Sequence, residues 1–308
     1  MSLCDDLALC VAAATATDAN GWLHFTAPSE ADLARLASLG IPLSLLAHAT
    51  DPDERPRVRR VGDVLLVVLH APFAQRPDAP QPWVTLPLFL FVTTDRIITV
   101  APRHAAFIDP PGTAEAGNAA ATDRTRFVLD LLMALAGAFL AALDRIEGEV
   151  AKLEDQLAKS LRNREVLSLL RYQKSLVWLT TALRGNELVL ERLHKGHLLE
   201  WSAEDEDLVE DVLIEIRQAI GKVDIAESLL AQMMDAFASI VSNNLNGVLK
   251  VLTVATILLA IPTVVASLWG MNVGLPFAHE SWAFWALLAG CAFVTGVVTV
   301  WFARRGWL

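Results

Sequence analysis

The sequence predicts an α+β protein with a helical membrane portion: a cytoplasmic α/β domain, a long helical stalk and two C-terminal transmembrane helices. The chain of 308 residues is 54% hydrophobic with a mean hydropathy of +0.43, yet 19% of its residues are charged. It is therefore too apolar for an ordinary soluble protein and too charged for a bundle lying wholly in lipid. The apolar residues concentrate near the C-terminus, and the pattern becomes purely helical after about residue 121. We expect three regions: 1–120, 121–245 and 246–308.

The first region is predicted to be a small α/β domain with several strands. Strand-like runs occupy residues 22–25, 57–70 and 83–100. The second run contains the turn signal Gly62-Asp63 and the third contains Thr94-Asp95, so each predicts a hairpin.

A helix and a linker complete this region. The segment "SEADLARLASLG" (29–40) predicts a helix with Ser29 as its N-cap and Gly40 as its C-terminal stop. The segment 109–123 is rich in proline, glycine and alanine and reads as a linker. We see no catalytic signature in residues 1–120.

Three long helices are predicted next. Residues 127–161 and 164–193 form a helical pair, and a capping box at Ser202 and Asp205 starts the third helix. The third helix carries apolar residues at 3–4 spacing with one charged seam position, Glu227, which predicts self-association or packing on the preceding helices. The apolar seam positions are Leu213, Ile216, Ile220, Val223, Leu230, Met234, Phe237 and Val241. This helix is expected to run from about 203 to 269, roughly 100 Å at 1.5 Å per residue.

Two uncharged runs, Val251 to Trp269 and Trp282 to Phe302, are each about 20 residues long, enough to cross a bilayer. Tryptophans at the ends of both runs are typical of membrane helices, whose ends lie at the interface, and they favour this interpretation over buried helices of a soluble protein. We expect membrane helices at about 246–269 and 282–302, joined by an external loop at 270–281.

Flanking charges predict the orientation. Lys250 precedes the first run, Arg304 and Arg305 follow the second, and the loop between the runs has no Lys or Arg. Positive charge marks the cytoplasmic side, so we expect a multi-pass protein of the cell (inner) membrane with both termini in the cytoplasm. The start of the chain, "MSLCDDLALC", lacks the basic segment of a signal peptide.

Nearly all polar and small residues of the first membrane run fall on one face of the helix. Its members, spaced alternately three and four apart, are Asn246, Leu249, Thr253, Thr256, Ala260, Thr263, Ser267 and Gly270. This set, called the polar stripe below, fits two interpretations. It is either a close helix contact in lipid or the wall of an aqueous axis. The second interpretation requires an oligomer, because one helix cannot enclose a pore.

The end of that run carries a motif. Trp269-Gly270-Met271-Asn272 ends the first of two C-terminal spans, "SNNLNGVLKVLTVATILLAIPT" (242–263) precedes it, and "ARRGWL" closes the chain. Together these segments resemble the CorA family of magnesium channels, whose motif is Tyr-Gly-Met-Asn, with Trp269 in the place of the usual tyrosine. The resemblance is strong over about the last 75 residues and weak over the first 120.

The resemblance implies a homopentameric funnel in which the first membrane helix lines the pore and the second surrounds it. It implies a selectivity ring at the outer mouth from Gly270, Met271 and Asn272. It places Asn246 at the inner end of the pore and a hydrophobic constriction at Leu249 and Leu252. It implies that Thr253, Ala260 and Thr263 line the pore. The implied activity is passive movement of Mg²⁺, with Co²⁺ or Ni²⁺ as further ions; no other cofactor and no nucleic acid is expected.

An acidic run from Glu200 to Asp211 favours a solvated helix start. In the resembled family, carboxylates between subunits bind intracellular Mg²⁺ and hold the channel closed. Alignment back from the motif places Asp211 on such a position, and Asp207 lies one turn before it. The net charge of −10 suits a cytoplasmic region that attracts divalent cations.

Two other functions stay open. A zinc or other divalent cation transporter like ZntB, with or without proton coupling, fits the loop "NVGLP" (272–276), whereas Met271 favours the magnesium branch. The other function is a membrane-anchored scaffold or sensor. The polar stripe argues against it, because a membrane anchor does not need threonines at heptad spacing. An enzyme is the least supported, since the sequence has no nucleotide-phosphate loop, and the pair His194 and His197 is weak evidence for zinc.

Overall fold

The structure is a computed structural model that describes residues 16–19, 21–49, 51–76, 79–105, 107–108, 124–159, 163–271, 274 and 280–307. Its strands are β1 (Ala16–Ala19), β2 (Trp22–Thr26), β3 (Arg57–Val61), β4 (Val64–Ala74), β5 (Trp83–Val92) and β6 (Ile97–Ala101). Its helices are α1 (Glu30–Ser38), α2 (Leu43–Leu46), α3 (Arg124–Lys159), α4 (Asn163–Lys195), α5 (Ala203–Trp269) and α6 (Ser281–Arg304). The predicted linker at 109–123 lies outside the described residues.

The strands form one six-stranded sheet in the order β1-β2-β6-β5-β4-β3. Only the β2–β6 pair is parallel among these strands. Both predicted hairpins are confirmed: Val61 pairs with Val64 around Gly62-Asp63, and Val92 pairs with Ile97 around the second turn. Gly62 has φ +59°, a conformation that glycine adopts without a steric penalty.

The predicted start and stop of α1 are also confirmed. The Ser29 backbone N–H donates to the Asp32 carboxylate at 2.8 Å, and the Asp32 backbone N–H donates to the Ser29 hydroxyl at 3.3 Å. The Ser29 hydroxyl also donates to the Asp32 carboxylate, at 2.7 Å, and the two hydrogen bonds that this carboxylate accepts from Ser29 lower the pKa of Asp32. Gly40 follows the helix with φ +86°, as a C-terminal stop requires.

The sheet is covered on both faces, which explains its nearly continuous apolar strands. One face packs on α1 and α2 through a core that includes Phe25, Leu36, Leu45, Phe89 and Phe91. The other face packs on α3 and α4. There the ring of Phe127 lies 5.3 Å from that of Trp22.

Three helices of the described residues are long and apolar enough to cross a membrane: α3 over Arg124–Leu157, α5 and α6. Burial separates them. The apolar window of α3 is 56% buried within the chain, whereas those of α5 and α6 are each 6% buried. The apolar face of α3 is therefore used for packing on the sheet.

The chain divides into two compact units, Met1–Ala231 and Gln232–Leu308. The boundary falls inside α5, which continues without a break through Pro262. The expected regions 1–120, 121–245 and 246–308 stay a prediction.

Within the first unit, the start of α5 packs against α3 and α4. The predicted capping box is present, since the Ser202 backbone N–H donates to the Asp205 carboxylate at 2.9 Å. Arg217 pairs with Glu187 of α4 at 2.7 Å, and Lys222 pairs with Asp144 and Glu147 of α3. Packing on the preceding helices, one of the two expected uses of the heptad, is therefore confirmed for this segment.

The buried seam is one position away from the predicted one for part of its length. Its members are Val209, Val212, Ile216, Ala219, Val223, Ala226 and Leu230. Leu213, Ile220 and Glu227 flank it and are half-buried. Glu227 accepts a hydrogen bond from the Thr180 hydroxyl at 2.9 Å, which satisfies the one charged position of the predicted seam.

An amide on α4 extends the sheet where β3 stops. β3 begins at Arg57, opposite Val68, so His70 lies beyond the paired strand. The Asn186 side chain takes the place of the missing strand. Its amide oxygen accepts from the His70 backbone N–H at 2.9 Å, and its amide nitrogen donates to the His70 carbonyl at 2.8 Å. Burial lowers the pKa of the His70 imidazole, whose Nε2 lies 2.7 Å from the Glu54 carbonyl.

We predict that Asn186→Ala destabilises the protein by about 2–3 kcal/mol, because it leaves two backbone groups buried without partners. Thr181→Ala on the same helix is the control, since that hydroxyl is exposed and donates only to the Val177 carbonyl. Chemical unfolding of the detergent-purified protein measures both variants. Equal stability of the two would contradict the proposed role of Asn186.

Candidate functional site

The second unit contains two apolar helical segments, the last part of α5 and all of α6. In the structure α5 ends at Trp269 and α6 covers Ser281–Arg304, and the spans expected at about 246–269 and 282–302 stay a prediction. Their surfaces are largely exposed to the surroundings, including Leu259 at 70% and Phe293 at 72%. Exposed apolar surface on this scale fits lipid rather than water.

One face of α5 is covered within this unit. Val254 is fully buried, and Leu258, Ile261, Val265 and Trp269 follow it as half-buried side chains at helical spacing. A matching face on α6 is made by Ala283, Leu287, Cys291, Thr295 and Phe302. Because α5 and α6 are the two helices among the described residues of this unit, these faces cover each other.

The polar stripe lies on the opposite side of α5. At 100° per residue, its centre is roughly 160° around the helix from the centre of the face that α6 covers. Every member is exposed in the single chain, with Leu249 at 49%. Leu252, which borders the stripe, is 60% exposed. The helix contact within one chain therefore does not use the stripe, and that interpretation of its small residues is excluded for the α5–α6 pair.

The three threonine hydroxyl groups of the stripe are oriented by the helix itself. Thr253 donates to the Leu249 carbonyl at 2.8 Å, Thr256 to Leu252 at 2.8 Å, and Thr263 to Leu259 at 2.7 Å. Each hydroxyl hydrogen is thus used within the helix. The oxygen lone pairs stay available, so the stripe presents acceptors to whatever lies beside it.

The motif at the end of α5 is described in part. The Gly270 N–H continues the helix by donating to the Ala266 carbonyl at 3.0 Å. A side-chain carbon at Gly270 would lie 3.3 Å from that carbonyl oxygen, so glycine fits this last turn best. Met271 is 52% exposed. Asn272 lies outside the described residues.

The acidic run at the start of α5 has one buried member. Asp205 is 3% exposed and belongs to the capping box, whereas Asp207 and Asp211 are exposed on the helix surface. Among the described residues, no three His, Cys, Asp or Glu side chains converge as a metal site. The ring of His194 packs edge-on against Trp201 at 5.5 Å, and His197 has φ +46° in the turn after α4.

Comparison with known proteins identifies the family. Residues 18–304 match the model of the CorA-like Mg²⁺ transporter protein family. The chain belongs to this family. Its membership confirms the resemblance based on the C-terminal motif and confirms a transport protein rather than an enzyme. The protein is accordingly a CorA-family divalent cation transporter with C-terminal membrane helices.

Two kinds of relative match nearly the whole chain. The cobalt/magnesium transport protein CorA of Methanocaldococcus jannaschii is 25% identical over 298 residues, which cover 93% of this chain and 91% of that protein. The zinc transport protein ZntB of Klebsiella pneumoniae is 24% identical over 296 residues, covering 93% and 88%. Sequence identity therefore does not separate the two kinds.

Solved structures confirm the fold over the same length. The complete structure of the M. jannaschii CorA magnesium transporter matches with a TM-score of 0.81 at 24% identity, covering 93% of this chain and 91% of that one. The full-length CmaX protein matches with a TM-score of 0.69 at 20% identity, covering 93% and 88%. The predicted fold class is thus confirmed for this CorA-family chain.

We predict that a cysteine at Thr256 reacts faster with a charged, membrane-impermeant thiol reagent than a cysteine at Leu258, because only the first lies on the stripe. The background lacks Cys4, Cys10 and Cys291, and the protein is reconstituted in liposomes with reagent on both sides. Leu258→Cys is the control, since it is half-buried two residues away. Equally slow labelling would mean that neighbouring copies or lipid, rather than water, cover the stripe.

Proposed function

We propose that this protein carries Mg²⁺ across the cell membrane, down its electrochemical gradient, as a homopentameric channel lined by α5. The observation that supports this most directly is the polar stripe, which is exposed on the face of α5 opposite its contact with α6. Polar groups facing hydrocarbon are costly, so further copies of α5 are the natural cover for this face. Several copies around one axis would turn the stripe into a polar wall.

The orientation proposed for the chain puts both termini in the cytoplasm. Lys250, Arg304 and Arg305 lie at one end of the two spans, as a cytoplasmic end requires. The membrane potential then favours entry of a divalent cation by about 4.6 kcal/mol per 100 mV. Uptake therefore requires neither a nucleotide nor a second ion.

Selectivity is assigned to Asn272 with Gly270 and Met271. Mg²⁺ gives up its water shell reluctantly, and a ring of carboxylates would hold it too tightly for rapid release. Amide oxygens instead accept hydrogen bonds from the waters of the hydrated ion. The Thr253, Thr256 and Thr263 hydroxyl oxygens can then act as acceptors in the same way along the stripe.

The gate is assigned to Leu249 and Leu252 near the inner end of the stripe. Rings of leucine narrow a pore and exclude water, so they block a hydrated ion without any charged group. Asn246 would lie at the cytoplasmic side of this constriction, and Ala260 and Ser267 on its outer side.

Intracellular Mg²⁺ is proposed as the closing signal, bound between subunits by Asp211 with Asp207 nearby. Both carboxylates are exposed in the single chain, so a neighbouring subunit can reach them. Ion binding shifts the gating equilibrium only by its different affinity for the closed and open states.

We predict that Asp211→Lys weakens the Mg²⁺-dependent protection of the cytoplasmic helices from proteolysis, because the lysine supplies the positive charge that the ion would supply. Limited digestion over a Mg²⁺ titration measures this, with Glu215→Lys on the next turn as the control. If wild type and Asp211→Lys share one Mg²⁺ dependence, Asp211 belongs only to the solvated start of α5.

A zinc transporter like ZntB, with or without proton coupling, is the second candidate. It is favoured by the nearly equal identity of the ZntB relatives and by the loop segment 272–276. A membrane-anchored scaffold is not retained, since the family is a transport family.

We predict that Asn272→Ala assembles normally but loses most Mg²⁺ uptake, because the amide oxygens at the mouth are gone. Flux into proteoliposomes is compared for Mg²⁺, Zn²⁺, Co²⁺ and Ni²⁺, with and without a proton gradient. Asn243→Ala, which removes the same amide elsewhere on α5, is the control. Wild-type flux in the assembled Asn272→Ala protein would exclude the selectivity ring, and Zn²⁺ uptake that needs the proton gradient would favour the second candidate.

A further inference from the structure

The C-terminal end of α6 is closed by a cap that folds a tryptophan back onto the helix. Gly306 has φ +68°, and its N–H donates to the Ala303 carbonyl at 3.1 Å. The Trp307 N–H donates to the Phe302 carbonyl at 3.1 Å, and the two rings lie 5.5 Å apart. This pair of hydrogen bonds with its apolar contact is a Schellman cap, which needs glycine at the left-handed position. The cap therefore fixes the position of the Trp307 ring.

Two cations lie against aromatic rings at this cap, and a third is next to them in the chain. The Nζ of Lys250, on α5, lies 6.0 Å from the centre of the Trp307 ring, and the Arg305 guanidinium lies 4.9 Å from that of Trp301. Trp301 and Phe302 are in contact at 4.8 Å, so the aromatic rings link the two charged groups. Arg304 is adjacent in the chain. We call this set the basic–aromatic cluster: Lys250, Trp301, Phe302, Arg304, Arg305 and Trp307.

The Asp and Glu side chains of this unit are distant from the cluster in the sequence. No Asp or Glu occurs between Asp235 and Glu280, and none follows Glu280. Asp235 precedes Lys250 by roughly 22 Å of helix, and Glu280 lies at the other end of α6. The three positive charges therefore have no Asp or Glu side chain of residues 232–307 close to them, and they attract an external anion.

The position of the cluster identifies that anion. Lys250 immediately precedes the uncharged run of α5, and Arg304 ends α6, so the cluster lies where both spans leave the hydrocarbon. Lipid phosphates lie at this depth, and tryptophan rings with adjacent cations suit the same boundary. Arginine forks bind phosphate oxygens in a bidentate way, and lysine adds a point charge.

We propose that the basic–aromatic cluster binds the phosphate of an anionic phospholipid at the end of α6. A zwitterionic lipid brings an ammonium group for which the cluster has no acidic partner, so binding selects lipids with net negative charge. The lipid would hold the start of the α5 span beside the end of α6, because Lys250 and Arg305 contact the same headgroup from different helices. This site is separate from the polar stripe and from transport itself.

The test is native mass spectrometry of the delipidated full-length protein, titrated with phosphatidylglycerol or with phosphatidylcholine. We expect tighter binding of phosphatidylglycerol and a loss of about fivefold in affinity for each of Lys250→Gln and Arg305→Gln, the effect of about 1 kcal/mol per cation. Arg103→Gln, which removes a cation after β6, is the matched control and should change nothing. Gly306→Ala, which strains the cap, should weaken phosphatidylglycerol binding while keeping all three cations.

Equal binding of the two lipids by the wild-type protein would overturn the proposal, and this result does not depend on the folding of any variant. Unchanged phosphatidylglycerol affinity in a folded Lys250→Gln, Arg305→Gln double variant would overturn it as well. A titration with inorganic phosphate separates a headgroup site from a free-anion site: full displacement of the lipid at equal concentration would exclude a lipid site. Lipid binding is measured without ion flux, so failure of the channel proposal leaves this result intact.

Discussion

A single helix of 67 residues, α5, must satisfy two environments, and the rest of the molecule depends on its continuity. In its first part, water covers one side, and the other side is buried by α3 and α4. In its last part, the backbone has no water to bind, so its hydrogen bonds must close within the helix. A long helix meets both demands without a change of secondary structure. What changes along it is the set of side chains that each environment accepts.

The membrane part of α5 follows from this constraint. One face is apolar and covered by α6, and the opposite face carries the amide of Asn246 and three threonines. The threonines tolerate an apolar surrounding because each hydroxyl donates to a carbonyl one turn earlier. The Asn246 amide has two N–H donors and one acceptor oxygen, and a single carbonyl of the helix cannot satisfy all of them. A polar stripe of this kind is costly for a chain alone in lipid and becomes favourable only when water or other copies meet it.

Much of this could be predicted from the sequence, because strong patterns carry it. Both hairpins, the caps at Ser29 and Ser202, the ends of α5 and the apolar spans depend on local residue chemistry, which a sequence displays directly. The predicted seam of α5 differs by one residue from the buried seam over part of its length, because two of the buried positions are Ala219 and Ala226. Alanine contributes little to a hydrophobic pattern in the sequence. The larger side chains of Leu213 and Ile220 contribute strongly to it, although they are only half-buried.

The parts that could not be predicted involve distant partners. Asn186 looks like an ordinary polar residue of a helix, and its role appears only when the His70 backbone lies beside it, 116 positions away in sequence. The face of α5 that covers α6 was hidden in the same way, since Val254, Leu258 and Ile261 do not differ in type from the lipid-facing residues around them. The polar residues of the stripe make it recognisable in the sequence. The face that packs on α6 is not recognisable, because it has the same apolar residue types as the face toward lipid.

The chemistry of the stripe also limits how any ion can use it. Zinc that has lost its waters binds best to imidazole and thiolate groups, whereas magnesium prefers oxygen. The described stripe residues offer hydroxyl and amide oxygens, with no His, Cys or carboxylate among them. Direct coordination of a bare zinc ion by the side chains of the stripe is therefore unfavourable. In the channel that we propose, either ion would pass the stripe with its water shell, and discrimination between zinc and magnesium would then depend on how the hydrated ion is held at the mouth.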